Sequence, residues 1–272
     1  MLFLLFETKG YIKMKKLIAL LALVGSTTHA FAADLLDTVQ QRGTLKIALE
    51  GTYPPFNFKD KDQKLTGFEV ELGEAIAKKL KVKPEFVTGE WSGLLAGLQG
   101  GKFDVVLNQV SITDKRKEVF DFSQPYTISS AQLIVRKNET RSFKSLDDLK
   151  GKKMGVTQGS NYAEMVKAQG GIESKFYPSA AEIFQDLASG RIDAAINDSL
   201  LIPFAIKEAK LPLKAGAPVG TTTQMGIPFA KGNPKFKAAI DGALASLHKD
   251  GSFKKISVKW FGIDVSKAPG SR

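Results

Sequence analysis

Leu98 to Asn108 reads LQGGKFDVVLN, and Leu187 to Asn197 reads LASGRIDAAIN. Both run from a helix end through glycine, a basic residue, an apolar residue, aspartate and three apolar residues to asparagine. A second echo links GTLKIALEGTY (Gly43–Tyr53) with GKKMGVTQGSN (Gly151–Asn161). A chain that repeats a helix–strand unit is constrained to two lobes of one plan. The competing explanation is chance likeness between generic strand–helix units.

Hydrophobic spacing supports the repeat. LKIAL (Leu45–Leu49) alternates as a strand, and GFEVELGEAIAKKL places Phe68, Leu72, Ile76 and Leu80 at helical spacing. KPEFVT predicts a strand, SGLLAGLQ a short helix, and FDVVLNQ a buried parallel strand. KKMGVT, SKFYP and IDAAIND predict strands; SNYAEMVKA and SLLIPFAIKEA predict helices. SAAEIFQDLA predicts a helix opened by a capping box from Ser179 to Glu182. Asn233 and Pro234 start a long helix that Gly251 ends. Alternating strands and helices place the chain in the α/β class with mainly parallel sheets. Ligands in such sheets sit beyond the carboxyl ends of strands. Four loops are nominated there: Glu50–Tyr53, Asn108–Ser111, Thr157–Asn161, and Asp198.

Residues from Met14 read MKKLIALLALVGSTTHAFAAD: a basic start, an apolar run from Leu17 to Val24, and a small-x-small site at Ala30–Ala32. This is the layout of a cleavable export signal spanning residues 1–32, with the cut after Ala32 and translation starting at Met14. The chain contains no cysteine, which excludes disulfides, thiolate metal sites and lipid attachment through cysteine. The expected location is a periplasm-like compartment without a lipid anchor. Net charge is +11. Removing four lysines and one glutamate with residues 1–32 leaves +8. The lysines are scattered, with no aromatic-basic motif, so they read as solvated faces rather than a nucleic-acid surface.

The loops carry recognisable chemistry. Arg116 offers a planar fork suited to a carboxylate, and Ser111 a nearby hydroxyl and N–H. Gln158–Asn161 puts glycine and small polar residues before a helix, where N–H groups favour anions. Asp198 offers a negative charge in the other lobe. Together these suit a zwitterion such as a free α-amino acid, with Tyr53, Phe56 and Trp91 as apolar or stacking walls. Each has a plainer reading. Arg116 could pair with Asp114 or Glu118 on the surface, Asp198 could cap the following helix, and Trp91 could be core. Catalysis has little support: beyond the export signal the one histidine is His248, in a long helix, and no nucleophile, metal or phosphate-loop motif is present.

The stretches LEGTYPPFNF, KLTGFEVEL, NQVSITDKRKEVFDFSQPYTIS, VTQGSNY, GRIDAAIND and KDGSFKKISVKWFG, in that order, resemble the periplasmic polar-amino-acid-binding proteins of ABC importers. The likeness runs from about Asp34 to Val265. It implies two α/β lobes joined by two crossing segments, lobe 1 over 38–126 and 225–264 and lobe 2 over 130–223. It also implies that Arg116 clamps the ligand α-carboxylate, helped by Ser111 and the backbone of Asn161. Asp198 would take the α-ammonium with Ser111 and the Gln109 carbonyl, and Tyr53 and Trp91 would sandwich the side chain. Glu50 stands where basic-amino-acid binders carry aspartate. Asn108-Gln109 replaces the small residues common in the family. Both departures follow the cystine-binding pattern. The resemblance therefore implies a monomeric, cofactor-free binder of an L-amino acid, with cystine favoured over glutamine, glutamate or a basic amino acid. Its partners would be an inner-membrane permease and ATPase. An enzyme of dehydratase type or a peptidoglycan-cleaving enzyme on the same fold, and a protein receptor, are the rivals.

Overall fold

The computed structural model describes residues 33–269; the expected export signal, its cut and the alternative start at Met14 lie outside the described residues. Helix α1 (Leu35–Arg42) opens on Asp34, whose side chain accepts from the Leu36 N–H, and closes at Gly43. Then follow β1 (Thr44–Leu49), β2 (Thr52–Tyr53), β3 (Asn57–Lys59), β4 (Leu65–Thr66), α2 (Phe68–Lys79) and β5 (Lys83–Thr88). Next come α3 (Trp91–Gln99), β6 (Val105–Val106), α4 (Asp114–Lys117) and β7 (Phe120–Phe122). The chain continues with β8 (Thr127–Arg136), β9 (Lys153–Thr157), α5 (Asn161–Gln169), β10 (Glu173–Tyr177), α6 (Ala180–Ala188) and β11 (Ala194–Asp198). It ends with α7 (Leu201–Ala209), β12 (Leu213–Met225), β13 (Pro228–Ala230), α8 (Pro234–Lys249) and α9 (Ser252–Phe261).

Two five-stranded sheets form the lobes, in the orders β5-β1-β6-β13-β7 and β10-β9-β11-β8-β12. The echoed units occupy matching places: β5-β1-β6 and β10-β9-β11 are each parallel. In each sheet one strand, β13 or β8, pairs antiparallel on both sides and so runs against the other four. The expected α/β class with mainly parallel sheets is therefore what the chain adopts.

The lobes are joined twice, after β7 and after β12. The two crossings are hydrogen-bonded to each other. Ser123 N–H donates to Ile227 O and Tyr126 N–H to Met225 O, while Ile227 N–H donates to Ser123 Oγ at 3.0 Å.

The long strands β8 and β12 were not visible as hydrophobic patterns. In β8 the inward positions include Thr127 and Ser129, both fully buried, so polar residues hide a regular in–out alternation. In β12 the run Ala215–Pro218 interrupts the register. One expectation is corrected. The helix after Ser179 forms, but Ser179 makes no side-chain cap bond, so the capping box is absent; Ser160 on α5, by contrast, does cap its helix, accepting from Ala163 N–H.

Phe56, Phe68, Tyr126, Phe229, Phe236 and Phe253 are among the largest fully buried side chains. Phe68 centres an aromatic cluster, with ring centroids 5.2 Å from Phe261, 5.9 Å from Phe253 and 6.3 Å from Tyr126. Each such ring stabilises the fold by roughly 1.5–3 kcal/mol through burial. Gly67, just before α2, holds φ 126°. A Cβ there would stand 2.3 Å from the Phe56 carbonyl oxygen, so the turn admits only glycine.

Candidate functional site

A cavity lies on the seam between the lobes. It encloses about 400 Å³ of non-atom space, part of it open to solvent, and is lined by residues of both sheets. The first lobe contributes Glu50, Tyr53, Trp91, Asn108 and Gln109; the second contributes Thr157, Asn161, Tyr162 and Asn197. These positions follow from the topology, since each lies at or just beyond the carboxyl end of a parallel strand or at the start of the next helix. Gly159, at φ 73°, makes the tight turn that brings β9 into α5.

Of the residues nominated from sequence, Glu50, Tyr53, Trp91, Gln109 and Asn161 line this cavity directly. Arg116 lies against it: its guanidinium sits 5.4 Å from the Trp91 ring centroid, and its Nη1 donates to Ser111 O at 3.0 Å. The plainer reading of Arg116 fails. Asp114 pairs with Lys117 instead, and Arg116 enters no ion pair among the described residues. Desolvation by burial holds its pKa below the ordinary guanidinium value, against the pull of Glu164 and Tyr162. A cation in that state gains from an arriving anion.

Ser111 reaches the site through its carbonyl rather than its hydroxyl, which donates to Met225 Sδ at 3.3 Å. Asp198 is fully buried. Its Oδ1 accepts from Leu200 N–H at 2.8 Å. Its Oδ2 accepts from Ser129 Oγ, and from Tyr162 Oη at 3.5 Å. Tyr162 and Asn197 thus stand in the wall, with Asp198 supporting them. Trp91 serves both readings, being 8% exposed in a hydrophobic cluster while lining the cavity.

Asn57, Glu69 and Tyr126, passed over in sequence, tie together the floor beneath the nominated Glu50, Asn108 and Gln109. Glu50 Oε2 accepts from Asn108 Nδ2 at 2.7 Å. Asn108 Oδ1 accepts from Asn57 Nδ2 at 2.9 Å, and Asn57 Nδ2 also donates to Glu69 Oε2 at 2.6 Å. Glu69 Oε1 accepts from Gln109 N–H at 2.7 Å and from Tyr126 Oη. Gln109 is thereby held at φ 48°, and its Oε1 accepts from Thr127 Oγ1 at 2.6 Å. Its Nε2 is buried without a hydrogen-bond partner. A signal for two of the wall residues existed: Asn108 and Asn197 are the matched asparagines that end the internal echo. Glu69 gave none, because on paper it is one more charge on an amphipathic helix.

Burial raises Glu50 to about 7, opposed by its bond from Asn108. Burial likewise raises Glu69 to about 7, opposed by bonds from Tyr126, Gln109 and Asn57. Tyr53 and Tyr162 are also pushed upward, chiefly by desolvation, so both remain neutral hydroxyls.

Contacts among the described residues tie the lobes across the cavity. Tyr53 Oη donates to Asn197 Oδ1 at 2.7 Å, Phe58 meets Phe204 with centroids 5.9 Å apart, and Lys115 pairs with Glu164 at 2.5 Å. The ion pair is exposed and contributes about 0–1 kcal/mol. The tyrosine bond is buried and is the stronger fastening. Removing it in Tyr53→Phe keeps the ring but leaves Asn197 Oδ1 without that donor. A net loss of about 0.5–1.5 kcal/mol in the closed form follows. Ligand affinity by calorimetry should fall about 3- to 10-fold, and unchanged affinity would show that the bond adds nothing to closure.

The family described as bacterial extracellular solute-binding proteins, family 3, matches residues 45–263. The L-cystine-binding protein TcyJ of Escherichia coli (strain K12) is 42% identical over 251 residues, covering 92% of this chain and 94% of that protein. Among solved structures, an ancestral arginine-binding protein bound to arginine has a TM-score of 0.77 and 41% identity, covering 81% of this chain and 99% of that one. An ancestral amino acid-binding protein, described as a precursor of cyclohexadienyl dehydratase, has a TM-score of 0.78 and 34% identity, covering 84% and 100%.

Proposed function

We propose, on the premise that this chain belongs to the bacterial extracellular solute-binding proteins, family 3, that it is the periplasmic binding component of an ABC importer for an L-amino acid, and that the amino acid is cystine. The observation that carries this reading is the state of Arg116: half-buried on the Trp91 ring beside a seam cavity, and in no ion pair among the described residues. Its fork takes the ligand α-carboxylate, with the Asn161 backbone at the start of α5 assisting. In the second lobe the α-ammonium meets the Asn197–Tyr162 wall, with buried Asp198 supplying negative charge behind it. Tyr53 and Trp91 flank the side chain.

A longer, two-headed ligand is favoured by what lies beyond Glu50. A second cavity begins there, lined by Lys59, Thr88, Glu90 and Ser179 among others. It carries both signs of charge, as a second amino-acid head requires. The relative named for L-cystine points the same way. Lobe 1 (38–126 with 225–264) and lobe 2 (130–223) close on the ligand, so binding shifts the population toward the closed form. The export signal is removed after Ala32, no lipid anchor is attached, and the monomer passes its ligand to a membrane permease driven by an ATPase.

A second reading has one observation in its favour. Glu50, raised to about 7 at a cavity wall, has the acidity of a general acid or base, as a dehydratase on this fold would need. Incubation with candidate substrates and an assay for turnover separates the two: a binding protein returns each of them unchanged.

A thermal-shift screen of free amino acids tests the main reading. Cystine at about 100 times its dissociation constant should stabilise the protein by roughly 2.7 kcal/mol, or about 5–10 °C, and reductant should remove the shift. No response to any amino acid would refute the assignment.

A further inference from the structure

Two carboxylates, Glu50 and Glu69, lie in the floor of the cleft without a lysine or arginine paired to either among the described residues. They are connected only by neutral amides, through Asn108 and Asn57. We infer that Glu50 and Glu69 act as a coupled pair holding one proton in the ligand-free protein, and that a ligand bringing a cation to Glu50 drives that proton into solvent. Amino-acid capture is then linked to pH. The inference rests on the amino-acid reading above for the nature of the cation.

The division of labour within the pair follows from the hydrogen bonds. Glu69 accepts three: from Asn57 Nδ2, Gln109 N–H and Tyr126 Oη. Glu50 accepts one, from Asn108 Nδ2. Donors stabilise the ionised form, so the negative charge belongs on Glu69 and the proton on Glu50. Glu50 is also the member that lines the cavity. Gln109, another residue of the cavity lining, has a buried side-chain Nε2 without a hydrogen-bond partner.

Among the described residues, the surroundings offer no substitute charge to neutralise the pair. Tyr53 on β2, Tyr126 before β8 and Tyr162 on α5 are all held protonated by burial. Asp198 on β11 adds negative charge. Arg116 makes its close contacts with Ser111 and Trp91. Lys59 on β3 and Glu90 before α3 line the outer cavity with Glu50; neither enters an ion pair among the described residues, and together they cancel.

The sign is fixed. Both carboxyls hold protons more tightly in the fold than the ordinary value of 4.5. The pair's contribution to ligand-free stability is therefore intact below about 4.5 and is lost as pH rises to about 7. A cation beside Glu50 lowers its pKa, so affinity rises with pH up to about 7, by at most about tenfold per pH unit, and then levels off.

Calorimetry with L-cystine at pH 7, repeated in phosphate and in imidazole buffer, counts the protons exchanged. About 0.5 proton released per cystine is expected, because at this pH Glu50, with its pKa of about 7, holds the shared proton in only about half of the ligand-free molecules. Binding with no proton release overturns the linkage while leaving the amino-acid reading intact. Carbon-13 titration of the glutamate carboxyls without ligand decides the pairing by itself, even if cystine does not bind. Glu69→Gln should lower the Glu50 midpoint by about one pH unit by removing the neighbouring charge. An unmoved midpoint in a variant that still unfolds cooperatively refutes the coupling.

Discussion

Replacing Arg116 with alanine is expected to remove amino-acid binding by at least about 100-fold and to leave the melting temperature within a few degrees of the parent. The guanidinium would make two charge-assisted bonds to an α-carboxylate, each contributing roughly 1.5–3 kcal/mol. Within the protein it makes little else: one bond to Ser111 O and the contact with Trp91. Binding and stability should therefore separate. Arg116→Lys keeps the charge but loses the planar fork and the close stack on the ring. It should recover only part of the affinity, remaining about tenfold or more weaker than the parent. Calorimetric affinities within threefold of the parent for both variants would remove Arg116 from the site.

Gly67→Ala is expected to act through the fold instead. The residue holds φ 126°, and an added Cβ would meet the Phe56 carbonyl oxygen at 2.3 Å and the Asn57 Cα at 2.9 Å. These contacts are backbone and cannot swing aside. Strain at such a φ alone costs about 1–3 kcal/mol, and the overlap must add to it. A loss of at least about 3 kcal/mol corresponds to a fall in melting temperature of roughly 10 °C for a chain of this size. The segment that must shift carries Asn57, the amide between Asn108 and Glu69. Surviving protein should also bind more weakly. A melting temperature within 2 °C of the parent would show that the turn can relax.

What was legible in the sequence was local or repeated. The echo ending at Asn108 and Asn197 announced two lobes, and parallel strands then placed their terminal loops at one seam. Arg116 was ambiguous on paper, because Asp114 and Glu118 are its neighbours; only burial and the Trp91 contact separate it from them. Glu69 and Asn57 were invisible, since their roles depend on bonds to Gln109 and Asn108, which lie far along the chain. The strands β8 and β12 were hidden for a related reason. The inward face of β8 carries Thr127 and Ser129, and register shifts in β12 set its buried Leu213, Val219 and Met225 far apart, so the hydrophobic period never shows. The missing capping box at Ser179 shows the opposite error, a correct local signature whose bond is not made.

The position of β13 has a consequence for how the chain is made. Its three residues fill the slot between β6 and β7, yet they follow the whole second lobe in sequence. A chain that emerges amino end first has sheet edges at Val105–Val106 and Phe120–Phe122 with no partner until Pro228–Ala230 arrive. The second lobe is continuous from β8 to β12 and can condense earlier. Unpaired edges invite pairing with other chains. As the chain is made, then, the lobe that waits for β13 is the last to become safe from aggregation.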